Sequence, residues 1–166
     1  MAIEIERRFL VTNGEWRSKI ISSEDFNQAY LNSNSDKWII RVRIIDNYQS
    51  FITLKSSING LVNHEFEYPI PNEDAIELFK LSKYKISKTR YHLKIHGKDW
   101  VVDSFKDLNS SLTIAEIELN HRSEEINLPS WCEQEITGIK SLSNASLAKI
   151  PITNLSIKDR IKTKDP

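Results

Sequence analysis

Charged side chains of one sign recur two residues apart along this chain. Near the N-terminus, Glu4 and Glu6 are followed by Arg8 at the same spacing. The later same-sign pairs are Arg41/Arg43, Glu65/Glu67, Lys88/Arg90 and Glu116/Glu118. Side chains two apart on a β-strand point to the same face, so each pair would place like charges side by side. Carboxylates suit Mg²⁺ or Mn²⁺ and guanidinium groups suit phosphate oxygens, so the pattern predicts phosphoryl transfer on an oligophosphate.

A solvated outer face is the alternative interpretation of these charges. The positions between them are apolar, as in Ile40, Val42 and Ile44, which is typical of an antiparallel sheet with one covered face. A solvated face usually mixes signs along a strand, because like charges side by side repel each other. The same-sign pairs therefore favour a face on which charge is concentrated for function.

The candidate residues form an acidic and a basic set. The acids that could bind a metal ion are Glu4, Glu6, Glu116 and Glu118, together with Asp103, Glu65 and Glu67. The bases that could bind an oligophosphate are Arg8, Arg41, Arg43, Lys55, Lys88 and Arg90. Metal-binding carboxylates opposite a phosphate-binding set of bases are the arrangement that phosphoryl transfer uses.

The composition limits the classes of function. The 166 residues contain 23 Lys plus Arg and 23 Asp plus Glu, so no overall field recruits nucleic acid or an anionic membrane. Cys132 is the single cysteine, which excludes an intramolecular disulfide and a cysteine zinc cluster. The chain shows neither a signal peptide nor a long apolar run. We therefore expect a cytoplasmic protein, a monomer or homodimer, with no stable nucleic-acid complex and no membrane association.

The alternating segments predict a mainly antiparallel β protein of the α+β class. Strands are expected at residues 3–9, 26–32, 38–45, 50–56, 61–70, 87–96, 100–106, 112–120 and 133–137. Closure into an eight-stranded β-barrel would remove exposed strand edges and turn the charged face inward. Because burying many uncompensated ions is costly, such a barrel must be a tunnel that holds water and ligand.

A few helices are expected to flank the barrel. The predicted helical segments are residues 15–21, 73–81 and 143–150, with a helical turn at 123–125. Asn72 is a candidate N-cap of the second helix. Two hairpin turns are expected, one at Asp46-Asn47 and one at residues 97–99.

The ordered set of motifs resembles the CYTH domain, also called the triphosphate tunnel metalloenzyme family. Its signature Glu-x-Glu-x-Lys on the first strand is matched by Glu4-Ile5-Glu6-Arg7-Arg8. The further matches, in family order, are Arg41-Val42-Arg43, Thr53-Leu54-Lys55, Glu65-Phe66-Glu67, Lys88-Thr89-Arg90-Tyr91, Val102-Asp103, Glu116-Ile117-Glu118 and Ser143-Asn144-Ala145-Ser146-Leu147-Ala148. The resemblance covers residues 1–151 as one domain and leaves residues 152–166 as a C-terminal tail.

The resemblance implies an eight-stranded tunnel that binds a triphosphate with Mg²⁺ or Mn²⁺. The implied metal ligands are Glu4, Glu6 and Glu118, with Asp103 and Glu116 as co-ligands. The implied phosphate-binding residues are Arg41, Arg43, Lys55 and Arg90. Lys88 would orient the nucleophile or the terminal phosphate, and the auxiliary acids Glu65 and Glu67 would hold a second ion or brace the bases. Short single-domain members are most similar, which implies hydrolysis of inorganic triphosphate to diphosphate and phosphate.

Two positions depart from the family pattern. Arg8 stands where the signature has a lysine, which some members pair with a tyrosine on the second strand as general base; Tyr30 is the matching tyrosine here. Arginine keeps its proton at any working pH, so Arg8 cannot accept one from water. Asn63 stands where many relatives carry a basic residue. A thiamine or nucleoside triphosphatase, an adenylate cyclase and a non-catalytic polyphosphate-binding module therefore stay open as alternatives.

Overall fold

The computed structural model describes residues 3–32, 38–59 and 61–154. Its strands are β1 (Ile3–Val11), β2 (Ile20–Tyr30), β3 (Ile39–Ile45), β4 (Gln49–Asn59), β5 (Val62–Pro69), β6 (Tyr84–Ile95), β7 (Lys98–Phe105), β8 (Thr113–Glu118) and β9 (Cys132–Glu135). The α-helices are α1 (Asn72–Leu81) and α2 (Asn144–Lys149). Short 3-10 helices lie at Glu15–Lys19, Asp107–Asn109, Lys140–Leu142 and Ile152–Asn154.

Eight of these strands close into an antiparallel barrel, which confirms the predicted fold. Around the barrel the order is β1-β5-β4-β3-β2-β6-β7-β8, and β8 returns to β1. One edge of β1 is shared between two partners: β5 pairs with Ile3 to Ile5, and β9 pairs near Phe9 and Val11. The short β9 thus covers the part of the β1 edge that β5 leaves unpaired.

The alternation of the strands separates an apolar outside from a charged inside. On β1, β7 and β8 the outward side chains pack in a cluster with Trp16 and Trp131, which lie outside the barrel. On β3, the outward Val42 and Ile44 pack against Ala75 of α1. The elements packed outside the barrel bury the apolar surface of its strands. The barrel can therefore present polar side chains to its interior.

The C-terminal segment covers one end of the barrel interior. Inward-facing Leu10, Tyr30, Ile86, Phe105 and Ile114 pack against Ile136, Leu142, Leu147 and Ile152. Ile152, the first residue of the predicted tail, is therefore part of this core, and its amide donates to Asn109 Oδ1 over 2.8 Å. The tail beyond residue 154 lies outside the described residues.

Several local expectations need correction. Strand β2 begins at Ile20, six residues earlier than predicted, because it continues its pairing with β6. The second helix begins at Asn72 itself, and Asn72 does not cap it: its amide oxygen accepts from Ser50 Oγ, and its amide nitrogen donates to the carbonyl of Asn47. Residues 123–125 form no helical turn, since their segment is a turn followed by irregular chain.

The hairpin turns are set by residues with positive φ. Asp46 and Asn47 have φ of 49° and 66°, and the amide of Tyr48 donates to the carbonyl of Ile45 over 3.1 Å, which closes the turn predicted between β3 and β4. The turn between β6 and β7 lies at His96 and Gly97, with φ of 49° and 78°, so Lys98 and Asp99 belong to the strand and not to the turn. Within the described residues, neither α-helix has the length and apolar character needed to cross a membrane.

Candidate active site

The inward-facing charges surround a cavity of about 1010 Å³. Opposed positions on neighbouring strands bring them together: Glu6 is paired with Glu118, Arg8 with Glu116, and Arg90 with Asp103. The predicted site residues that line this cavity are Glu4, Glu6, Arg8, Tyr30, Arg41, Arg43, Lys55, Glu65, Arg90 and Glu116. Glu118 lines an adjoining cavity of about 270 Å³, which shares Glu4, Glu6, Arg90 and Glu116. The structure therefore brings most of the predicted residues into one connected site.

An acidic group on β1 and β5 surrounds one lysine. Lys55 Nζ is bonded to Glu4 and lies 3.5 Å from Glu6 Oε1 and 3.1 Å from Glu65 Oε2. Burial disfavours the charge on Lys55, but Glu6, Glu4 and Glu65 outweigh burial and raise its pKa. Burial together with the negative charges of Glu6 and Glu65 raises the pKa of Glu4 to about 7. Glu4, Glu6 and Glu65, which we call the acidic wall of the cavity, thus carry more negative charge than Lys55 alone compensates.

A buried ion network joins β1, β6, β7 and β8. Lys88 Nζ donates to Asp103, and Arg90 binds both carboxylate oxygens of Asp103 over 2.8 and 2.7 Å. Arg90 also donates to Glu116 over 2.7 Å, and Arg8 Nε donates to Glu116 over 3.0 Å. Although burial opposes ionisation, these bases lower the pKa values of Asp103 and Glu116. Lys88 and Asp103 are themselves fully buried, and they support the cavity from outside its lining.

Two arginines on β3 line another side of the cavity. Arg41 Nη2 donates to Thr53 Oγ1 over 3.2 Å and lies 3.7 Å from Glu65 and 3.6 Å from Glu67. Arg43 Nη1 lies 3.3 Å from Glu67. Glu65 and Glu67 are therefore close enough to attract the arginines. Burial, and after it the positive charges of Arg41 and Arg90, lower the pKa of Arg43 to about 10.

Several buried hydrogen-bonding groups of the interior lack a partner among the described residues. They include Arg8 Nη2, Arg41 Nε, Arg43 Nε and both polar atoms of the Gln28 amide. An unpaired buried polar group is costly, and such groups in native proteins call for an explanation. Three of them are nitrogens of guanidinium groups whose side chains line the cavity, and guanidinium groups are suited to phosphate oxygens.

The predicted pair Arg8 and Tyr30 cannot remove a proton from water near neutral pH. Glu116 and Glu6 raise the pKa of Arg8 against the effect of burial, and its Nη1 donates to the carbonyl of Leu142 over 3.2 Å. Burial raises the pKa of the Tyr30 hydroxyl, which keeps it protonated. Both side chains are thus hydrogen-bond donors toward the cavity. Asn63, at the other departure from the family pattern, has its Nδ2 3.4 Å from Glu4 Oε2.

Three of the five predicted carboxylates have the chemistry that suits a divalent metal ion. Asp103 and Glu116 are each bonded to two bases, whereas Glu4 and Glu6 share Lys55 and line the cavities together with Glu118. Hard carboxylate oxygens with uncompensated negative charge are suited to Mg²⁺ or Mn²⁺. Within the described residues, no three acidic, histidine or cysteine side chains converge closely enough to form a ready-made metal centre. The metal-ligand assignments therefore stay predictions.

The sequence reasoning assigned no role to Gln28 or Thr53. Gln28 lies two residues before Tyr30 on the same face of β2 and is completely buried. Thr53 lies two residues before Lys55 on β4 and links Arg41 to Glu67, to which it donates over 2.7 Å. The period of two along each strand would have placed both side chains inside the barrel.

Comparison with known proteins agrees with this architecture. The sequence model of the CYTH domain matches residues 2–150. An inorganic triphosphatase from Acetivibrio thermocellus is 34% identical over 156 residues, covering 93% of this chain and 98% of that protein. The solved structure of the inorganic triphosphatase NE1496 has a TM-score of 0.63 and 29% identity, covering 89% of this chain and 95% of that chain. The PH1012 protein of Pyrococcus horikoshii OT3 shares the fold, with a TM-score of 0.58, 24% identity and coverage of 73% and 80%.

Proposed function

Because the chain belongs to the CYTH domain family, we propose that it hydrolyses inorganic triphosphate to diphosphate and phosphate with Mg²⁺ or Mn²⁺. A relative named an inorganic triphosphatase aligns along almost its whole length. The family implies dependence on a divalent metal ion, and the choice between the two ions is part of the proposal. A cytoplasmic location, a monomeric or homodimeric state and the lack of a nucleic-acid complex stay predictions of the sequence.

The observation that carries the proposal is the set of basic side chains that line one cavity. Arg8, Arg41 and Arg43 all line it, and each has a buried guanidinium nitrogen without a hydrogen-bond partner among the described residues. Guanidinium groups bind phosphate oxygens in a planar geometry, and a linear triphosphate presents many such oxygens. A single small anion would satisfy fewer of these donors, which lie on β1 and β3.

The roles of the residues follow from their positions. Glu4, Glu6 and Glu118 would hold the metal ion. When bound, such an ion offsets charge on phosphate oxygens and lowers the pKa of water. Arg41, Arg43, Lys55 and Arg90 bind the phosphate oxygens and fix the chain of phosphates for attack on the terminal phosphorus. Holding the reactants in this geometry supplies much of the rate enhancement, so the protein needs no covalent step.

The remaining residues act as donors or supports. Arg8 and Tyr30 donate hydrogen bonds to the substrate, and neither accepts a proton from the attacking water. Lys88 acts through Asp103, which in turn orients Arg90 by two hydrogen bonds. In the proposed site Asp103 and Glu116 orient bases, and co-ligation of the metal by these two acids is the alternative assignment.

A non-catalytic oligophosphate-binding module is the second candidate function. It is favoured by the protonated state of Arg8 and Tyr30, since neither can serve as a general base. Thiamine and nucleoside triphosphates are further possible substrates of the same phosphate site. The two functions differ in turnover and not in binding, so both must be measured.

The deciding experiment is phosphate release from inorganic triphosphate, ATP and thiamine triphosphate, each with Mg²⁺ and with Mn²⁺. We expect release from inorganic triphosphate that stops in excess chelator. Turnover that continues in chelator contradicts the proposal. Tight calorimetric binding of triphosphate without release in either metal establishes the binding module.

The variant Glu6→Gln tests the acidic wall without changing its size. We expect kcat/KM for inorganic triphosphate to fall by about 100-fold or more, since a misplaced or uncharged ligand disturbs the reacting geometry. Glu77→Gln is the matched control, because Glu77 is exposed on α1 and pairs with Lys80. Equal rates for the two variants would exclude Glu6 from the site.

A further inference from the structure

A buried aromatic ring lies among the bases of the site. Phe26 projects from β2 into the barrel interior and is 4% exposed. Three cationic groups lie close to its ring centroid: Arg43 Cζ at 5.1 Å, Arg90 Cζ at 5.2 Å and Lys88 Nζ at 5.6 Å. These distances are within the range of cation–π attraction.

The pairing of the strands explains why one ring reaches three bases. Strand β2 lies between β3 and β6. Phe26 is directly opposite Lys88 on β6. Arg90 and Arg43 occupy the diagonal positions, because they pair with Glu24 and Gln28, the inward neighbours of Phe26 along β2. Diagonal neighbours are within reach of an aromatic side chain.

The three bases differ in how many carboxylates bind them. Asp103 binds both Lys88 and Arg90, Arg90 also binds Glu116, and an acidic neighbour of Arg43 is Glu67 at 3.3 Å. A further carboxylate among them would attract the bases but would also repel a phosphate. The face of an aromatic ring attracts cations through its quadrupole and carries no net charge. A phenylalanine can therefore hold the bases together and leave their positive charge available to an anion.

We propose that Phe26 is a positioning residue that holds Arg43 and Arg90, with Lys88 behind them, in the arrangement that binds phosphate. The inference rests on the proposed function, since it concerns the same oligophosphate site. Phe26 acts through the bases and does not contact the reacting atoms. Its contribution is preorganisation: the bases are ordered before the phosphate arrives, so binding costs less side-chain entropy.

The test is replacement of Phe26 by mono-, di- and trifluorinated phenylalanine, introduced site-specifically in the full chain. Fluorine withdraws electron density from the ring and weakens cation–π attraction while nearly preserving shape and hydrophobicity. The affinity for inorganic triphosphate is measured by calorimetry in chelator, and kcat and KM are measured with Mg²⁺. We expect the Kd to rise stepwise with each fluorine, by about tenfold at the trifluorinated ring.

Phe9 supplies the matched control. It is buried on the outer face, where it contacts Trp100 and lies 5.1 Å from Arg7 Cζ. The same fluorine series at Phe9 should leave the Kd for triphosphate unchanged. An unchanged or tighter Kd across the Phe26 series, or an equal change across the Phe9 series, overturns the inference.

The outcomes separate this inference from the proposed function. If the unmodified protein neither binds nor hydrolyses triphosphate, the proposed function fails and the inference fails with it. If the unmodified protein is active and the Kd for triphosphate is the same across the Phe26 series, the proposed function stands and the positioning role is excluded. The variant Phe26→Leu, which keeps an apolar side chain without a ring, should reproduce the trifluorinated result where it folds.

Discussion

At the scale of single residues, Arg8 shows how one substitution can change a role. Its guanidinium donates to Glu116 and to the Leu142 carbonyl, and its remaining Nη2 is buried without a partner among the described residues. A lysine has a compact ammonium group and cannot offer donors in these separate, fixed directions. Arg8 thus joins the ion network, the C-terminal segment and the cavity. This geometry suits an anchor and hydrogen-bond donor, and an arginine does not serve as a general base near neutral pH.

Gln28 is a second residue of interest, because burying its amide without a hydrogen-bond partner should lower the stability of the fold. Both polar atoms of its amide are buried without a hydrogen-bond partner among the described residues. Replacement by leucine removes this cost and keeps the side-chain volume similar. We expect Gln28→Leu to raise the free energy of unfolding by about 1–3 kcal/mol, measured by denaturant titration.

Gln49→Leu is the matched control, because Gln49 is exposed on β4. Its effect on the free energy of unfolding should stay within about 0.5 kcal/mol. A loss of stability in Gln28→Leu larger than that of the control would show that the Gln28 amide is satisfied in solution, for example by an ordered water molecule.

At the scale of elements, the segment from Lys140 to Ile152 closes one end of the barrel. Leu147 on α2 is completely buried in the same core as inward-facing Leu10 and Ile114. The six-residue α2 is too short to be stable alone, so its packing on the barrel must hold it. The Arg8 bond to Leu142 connects this packing to the charged cavity.

Shortening the side chain of Leu147 tests the contribution of this segment to stability. We expect Leu147→Ala to lower the free energy of unfolding by about 2–5 kcal/mol, because it removes buried contacts and leaves a void. Leu108→Ala, at a residue that is 60% exposed, should change it by less than about 0.5 kcal/mol. Similar losses in both variants would mean that the segment does not pack on the barrel in solution.

At the scale of the whole molecule, zero net charge conceals a concentration of charge. The chain has 23 basic and 23 acidic residues, and the interior gathers acids of β1 and β5 and arginines of β3 around one cavity. Closing the barrel forces these groups into a confined space where solvent screens them less. A highly charged ligand that binds only the folded state should therefore stabilise the entire domain.

A thermal unfolding scan in chelator measures this stabilisation. Inorganic triphosphate at about 100 times its Kd should add about 2.7 kcal/mol, which corresponds to an increase in Tm of about 5–10 °C for a domain of this size. Sodium chloride at matched ionic strength is the control and should not reproduce the increase. The absence of any shift by triphosphate would contradict binding in the cavity.

The sequence alone predicted which side chains face the interior. Glu4, Glu6, Arg41 and Arg43 could be assigned to one face because the period of two along a strand is a local property of the backbone. The hairpin at Asp46-Asn47 was predicted for the same reason, since its positive φ values depend on local residue type. The resemblance of the ordered motifs then indicated the family.

Only the tertiary structure decided which of these charges meet. Asp103 and Glu116 were predicted as metal co-ligands from the family resemblance, and the register of β1, β6, β7 and β8 brings them into contact with Lys88, Arg90 and Arg8. Pairing across strands depends on register and on closure between β1 and β5, which join residues distant in sequence. The contacts of Phe26 and the covering of one barrel end by Leu147 are likewise properties of the closed barrel, because no local pattern specifies a partner on another strand.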